Sequence, residues 1–241
     1  MDTEMAPEQT EWIPEYTGNL VRYLIREAMG VVILALILVL PAGRWNWGMG
    51  WALVVLMFAW ATGTAVILVR RSPGLIAERV GPRKGAKSWD TAIMGVVGLL
   101  TLARCLLGGF DERYGWTTGI GPTVQIAALA VATLAYALVL WATAANAYFS
   151  QIVRIQEERG HAVAKGGPYR FVRHPAYVGT ILFELSVPLM LGSWWAFIPG
   201  AISAALYVVR TGLEDRTLIA ELPGYEEYTT QVRFRLVPGM W

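Results

Sequence analysis

Long apolar runs alternate with short polar connections along the chain, and none of the runs has the period of two that a barrel strand requires. Runs approaching the ~20 residues that a helix needs to cross the hydrocarbon core predict membrane helices over about residues 28–40, 47–69, 89–107 and 122–149. Trp, Gly and Pro mark most of their boundaries. Two shorter runs, 177–191 and 194–209, are joined by Gly192 and Ser193 and predict a tight helical hairpin. The expected fold is all-α and integral to the membrane, with about six membrane helices. Residues 1–150 form a four-helix bundle in this reading, and residues 151–241 a C-terminal catalytic region.

Composition agrees with a membrane solvent: 55% of the 241 residues are hydrophobic and 16% charged, and the mean hydropathy is +0.45. The first 24 residues are acidic, with Asp2, Glu4, Glu8, Glu11 and Glu15, and carry Trp12 and Tyr16 as candidate interfacial aromatics. They lack the short basic leader of a signal peptide, so the first apolar run is read as a retained helix.

Charge then sets the topology. With six helices and both termini cytoplasmic, only Arg44, Arg104 and Arg113 of the 20 basic residues fall at the outer side. The inner clusters are residues 70–87 and 154–173. A net charge of +2 gives no reason to expect nucleic-acid binding, and one cysteine with two histidines cannot build a usual four-ligand zinc site.

The candidate chemistry lies after the fourth run, in an insert rich in polar, aromatic and turn-forming residues from Gln151 to Gly179. Gly166, Gly167 and Pro168 require a bend, and Pro175 can open a helix with His174 near its N-cap. Such a helix start favours an anion, and Arg173, His174 and Tyr177 offer side-chain donors beside it. The competing explanation makes Arg170 and Arg173 positive-inside residues, with Tyr169 and Tyr177 as interfacial anchors. Arg210 and Glu214 follow at helical spacing on one face, either as a site or as a surface pair. Glu184, inside an apolar run, needs a partner or a water-filled cavity. Beyond Asp215, Pro223-Gly224 separates two short helical pieces, with Tyr225, Tyr228 and Phe234 as packing aromatics over the site.

These segments together resemble the isoprenylcysteine carboxyl methyltransferase family of membrane methyltransferases, relatives of the phospholipid methyltransferases. The resemblance covers about the last 90 residues. It rests on the stretch Gln156 to His161, on Gly167-Pro168-Tyr169, and on Arg173-His174-Pro175-Ala176-Tyr177-Val178-Gly179. Glu214-Asp215 and the closing Gly224-Tyr225-Glu226-Glu227-Tyr228 complete it. It implies S-adenosylmethionine as cofactor, held in a cytoplasmic pocket by Gln156, His161, Ala162, Val163, Ala164, Tyr169, His174, Pro175, Ala176, Tyr177 and Glu214. It also implies that Arg210 contacts the substrate, so that Arg210 and Glu214 are the candidate catalytic residues. The family often has two glutamates where this chain has Glu214-Asp215.

The residues suit that cofactor on chemical grounds, since its carboxylate needs Arg, His or amide donors and its sulfonium favours carboxylates and aromatic faces. The implied acceptor is lipophilic, either a small molecule or a lipidated substrate with an isoprenylcysteine-type carboxylate. A lipid amine or small thiol is the alternative, and would call on Glu184 or Glu214 as base. A membrane sterol or steroid reductase using NADPH is a more distant alternative. Those enzymes usually have Asn after His-Pro and Glu three residues beyond the Tyr, where this chain has Ala176 and Thr180. A transporter would leave the Arg-His-Pro-Tyr and Glu-Asp segments unexplained.

Overall fold

The computed structural model describes the backbone of residues 7–81 and 85–241 and the side chains of residues 16–81 and 85–241. Asp2, Glu4, the side chain of Trp12 and the basic residues Arg83 and Lys84 lie outside these described residues. Eight α-helices occur among them: α1 Pro7–Ala42, α2 Gly48–Arg71, α3 Gly74–Val80, α4 Ser88–Tyr114, α5 Pro122–Ala145, α6 Pro175–Leu191, α7 Trp194–Glu221 and α8 Tyr225–Gln231. No strand occurs among the described residues. Five helices are long and apolar enough to cross a membrane: the Tyr16–Ala42 part of α1, then α2, α4, α5 and α7. Helix α6 is apolar but has 17 residues. The chain is an integral membrane protein of helices.

Several boundaries differ from the sequence expectation, α4 and α7 running on to Tyr114 and Glu221, and three differences have a local reason. Helix α1 starts well before its apolar run, because Tyr16, Leu20 and Tyr23 pack against Leu75 and Ile76 of α3. The basic connection expected after α2 contains that short helix, entered at Pro73 and anchored by the same two buried side chains. Helix α5 ends at Ala145 rather than near Phe149, because the Asn146 side chain accepts from the backbone N–H of Tyr148 and turns the chain.

Helices α5 and α6 pack side by side, as do α4 with α7, α6 with α7, and α1 with α4. Close approach needs Gly179, where a Cβ would stand 2.5 Å from the Ala135 carbonyl oxygen of α5. The apolar core holds Leu38, Leu53, Cys105, Ala132, Phe183, Val187 and Met190. Within it lies the answer to Glu184, whose carboxylate pairs with Arg104 of α4. Arg104 is therefore a buried partner inside the bundle and not one of the outer-end basic residues.

One end of the bundle is aromatic. Trp45 stacks with Trp51, and Tyr114 with Trp116, whose ring meets Trp195 edge-on at 6.4 Å. Asp111 ties this end together by accepting from Thr117 and from Ser193, the N-cap residue of α7. The opposite end carries α3, α8 and the 146–174 segment, and there the polar chemistry collects.

Candidate active site

A bend after α5 opens a cavity of about 380 Å³. Gly167 makes the bend possible, with a φ of +56° and no room for a Cβ, which would stand 2.8 Å from Ala145. The chain then forms a 3-10 turn that buries Tyr169 against Ala142 and Ala176. The Tyr228 hydroxyl of α8 donates to the Tyr169 carbonyl at 2.6 Å, closing the loop from the C-terminal side.

Of the residues singled out from sequence, the cavity wall brings together His161, Ala162, Val163, Ala164, Tyr169, His174, Ala176, Tyr177, Arg210 and Glu214. Gln156 and Pro175 stand outside the wall. Gln156 is fully buried, its amide donating to the Tyr148 carbonyl and accepting from Arg159, so it braces the loop that carries His161. Pro175 is the first residue of α6 and fixes where that helix begins.

The surroundings of the loop histidine disfavour its protonated form. The Gln156 backbone N–H donates to His161 Nδ1, and the imidazole lies 4.7 Å from the Tyr148 ring. Burial pushes its pKa below the ordinary value, and the neighbouring Arg154 and Arg159 push the same way.

Two carboxylates adjacent in sequence have different surroundings. Asp215 is fully buried and saturated: Arg173 binds it through two nitrogens at 2.8 and 2.9 Å, His174 at 3.0 Å, Arg235 at 2.7 Å and the Tyr225 hydroxyl at 3.0 Å. The remaining Arg173 nitrogen donates to the carbonyls of Val232 and Arg233. Glu214 is half-buried on the cavity wall and accepts one hydrogen bond, from the Tyr177 hydroxyl. The donors anticipated for an anion at the α6 start are thus already engaged, Arg173 and His174 by Asp215 and Tyr177 by Glu214. The backbone N–H groups of Arg173 and His174 are also used, donating to the carbonyls of Phe234 and Arg235.

Arg210 does not pair with Glu214. Its Nε donates to Asp90 of α4 at 2.6 Å and its Nη2 to the Gln151 carbonyl at 3.0 Å, while the guanidinium lies over the Tyr177 ring. The other Asp90 oxygen accepts from the Val153 backbone N–H at 2.9 Å. Asp90 therefore joins α4, α7 and the loop, and leaves Nη1 of Arg210 without a partner among the described residues. Asp90 was invisible to motif reasoning. Its signal was a lone carboxylate at the start of a long apolar run, which calls for an interior partner.

The wall also draws on the N-terminal half, through Trp60 and Thr64 of α2, Arg79 of α3, Met94 of α4 and Val139 and Thr143 of α5. Towards the bundle the lining is apolar with a few hydroxyls, and towards the loops it is charged and aromatic. Pro223-Gly224 marks the end of a continuous α7, and α8 then places Tyr225 and Tyr228 against Leu222 and the cavity.

Residues 126–220 match the profile of the isoprenylcysteine carboxyl methyltransferase family. No curated protein matches the chain significantly. Among solved structures, the fold is similar to that of a eukaryotic intramembrane Ras methyltransferase, an isoprenylcysteine carboxyl methyltransferase, determined without a monobody. The likeness covers 87% of this chain and 72% of that chain at 18% sequence identity, with a TM-score of 0.54.

Proposed function

We propose, from the match of residues 126–220 to the isoprenylcysteine carboxyl methyltransferase profile, that the chain is a membrane methyltransferase that moves a methyl group from S-adenosylmethionine to a lipophilic carboxylate, most simply an isoprenylcysteine. The observation that carries this reading is one cavity with two chemistries. Its loop side offers Glu214 and the faces of Tyr148, Tyr169 and Tyr177, and its bundle side offers Trp60, Met94 and Val139. Arg210 stands on the same wall.

The residues fit the cofactor. A sulfonium is attracted by a carboxylate and by aromatic faces, and the cavity volume lies in the range of about 300–1,000 Å³ usual for small-molecule sites. Bound there, S-adenosylmethionine supplies an electrophilic methyl carbon. A carboxylate acceptor is already a nucleophile at neutral pH, so the protein's task is alignment and exclusion of water. Arg210, fixed by Asp90 and the Gln151 carbonyl, presents Nη1 to the acceptor in a charge-assisted contact. Glu184 serves no acceptor, since Arg104 holds it away from the cavity.

In this reading α6 and α7 make a hairpin that completes six crossings. The cavity and both termini face the cytoplasm, where basic residues gather, and the Trp45–Trp195 aromatic end faces outward. The test is saturable binding of S-adenosylmethionine to purified protein, followed by transfer of its labelled methyl group to a prenylated cysteine. Binding should be lost in Glu214→Ala. Unchanged affinity in that variant, or no wild-type binding, would falsify the proposal.

A further inference from the structure

Four arginines line the cavity: Arg79, Arg154, Arg173 and Arg210. The protein neutralises three of them, Arg154 with Glu78 and Glu158, Arg173 with Asp215, and Arg210 with Asp90. Arg79 is different. Its side chain makes no ion pair and no hydrogen bond with any described residue, and its Nε is buried without a partner.

The neighbouring carboxylates are spoken for. Glu78 pairs with Arg154 and accepts from Ser150, and Glu27 pairs with Arg26. The fold does not need the Arg79 side chain either, since α3 is anchored by Leu75 and Ile76 and the Arg79 carbonyl accepts from Arg26. Burial pushes the Arg79 guanidinium below its ordinary pKa, against the attraction of Tyr23 and Glu27. A partly desolvated cation without a direct ion-pair partner is costly, and a ligand carboxylate in the cavity would reduce that cost. The anion site expected at the start of α6 is closed by Asp215, Glu214 and the C-terminal segment.

We infer that Arg79 is a second carboxylate-binding residue of the cavity beside Arg210, receiving the carboxylate of the methyl donor or sharing that of the acceptor. The inference rests on the proposed methyl transfer and adds a second cation, beside Arg210, for a ligand's negative charge. It also gives α3, which no motif predicts, a function.

The experiment uses the full chain in phosphatidylcholine nanodiscs. Affinities for S-adenosylmethionine and for its decarboxylated analogue are measured by calorimetry, together with KM for N-acetyl-S-farnesylcysteine, in wild type and Arg79→Gln. If the donor's carboxylate is bound, wild type prefers S-adenosylmethionine over the analogue by about tenfold, the scale of a charge-assisted bond, and the variant loses that preference. If the acceptor's carboxylate is bound, donor affinities stay the same and the variant raises KM by about tenfold. Arg79→Lys, which keeps the charge but not the planar fork, serves if the glutamine variant does not fold, and should lose a few-fold in the same arm. Unchanged donor binding with unchanged KM, or with no turnover of that carboxylate, overturns the inference and leaves donor binding intact. Absence of wild-type donor binding overturns both.

Discussion

The surroundings of Asp215 and the cavity wall at Glu214 are built from adjacent residues of one helix, yet they differ in the feature that separates support from chemistry. Around Asp215 every donor is matched, with Arg173, Arg235, His174 and Tyr225 on one fully buried carboxylate. At the wall, Glu214 accepts from Tyr177 alone, and among the described residues Arg210 keeps one nitrogen unused and Arg79 has no ion pair or hydrogen bond. Saturated polar groups fix a structure, whereas incompletely satisfied ones are available to a ligand. The two regions are nevertheless coupled, because Arg173 and His174 sit between Asp215 and the wall.

Asp215→Ala should have the largest effect. It strands buried cations, a change that typically costs about 3–5 kcal/mol. The measurement is thermal unfolding and proteolysis of the chain after α7, and donor binding should be lost as a consequence. A stable variant with intact binding would mean that Asp215 does not hold the structure together.

Glu214→Gln should leave the melting temperature in place while lowering S-adenosylmethionine affinity by roughly tenfold or more, since one charge-assisted contact is lost. A comparable fall in melting temperature would place Glu214 with Asp215 as a structural group. Asp90→Asn tests the intermediate case. It should raise the acceptor KM several-fold with donor affinity nearly constant, because Asp90 acts by holding Arg210. Equal losses for donor and acceptor would mean that Asp90 shapes the whole cavity.

The pH response is smaller, and its sign follows from His161. Its folded pKa lies below the unfolded value of about 6.5, so its contribution to stability is present above that pH. The contribution is lost as pH falls through the lowered folded value, where the protonated imidazole meets Arg154 and Arg159. Hydrogen exchange of residues 156–164 should therefore accelerate under mild acid, and His161→Phe should flatten the response. The smallest effect belongs to Lys87→Ala. Its pair with Glu221 is partly exposed and contributes at most about 1 kcal/mol, so melting and binding should barely move.

Much of this arrangement was legible along the chain. Apolar run length located the membrane helices, Gly167 and Pro168 announced the bend, and the Arg-His-Pro-Tyr and Glu-Asp segments pointed to one cavity. Other features were not. Arg210 and Glu214 share a helix face, which suggested a pair, but each finds a better-placed partner across the bundle in Asp90 and Tyr177. Arg173 and His174 looked like ligands by residue type, and their commitment to Asp215 is a contact across about 40 positions that no local pattern encodes.

By itself the sequence determined the solvent, the helical class and most of the segments that line the cavity. Apolar run length, turn residues and basic clusters act locally and leave a local trace. Only the tertiary structure decided which charges cancel. It matched Asp90, Asp215 and Glu184 to arginines on other elements and left Arg79 on the cavity wall without an ion pair among the described residues. Whether a charge is neutralised depends on a few ångströms between side chains distant in sequence, and helix packing sets that distance.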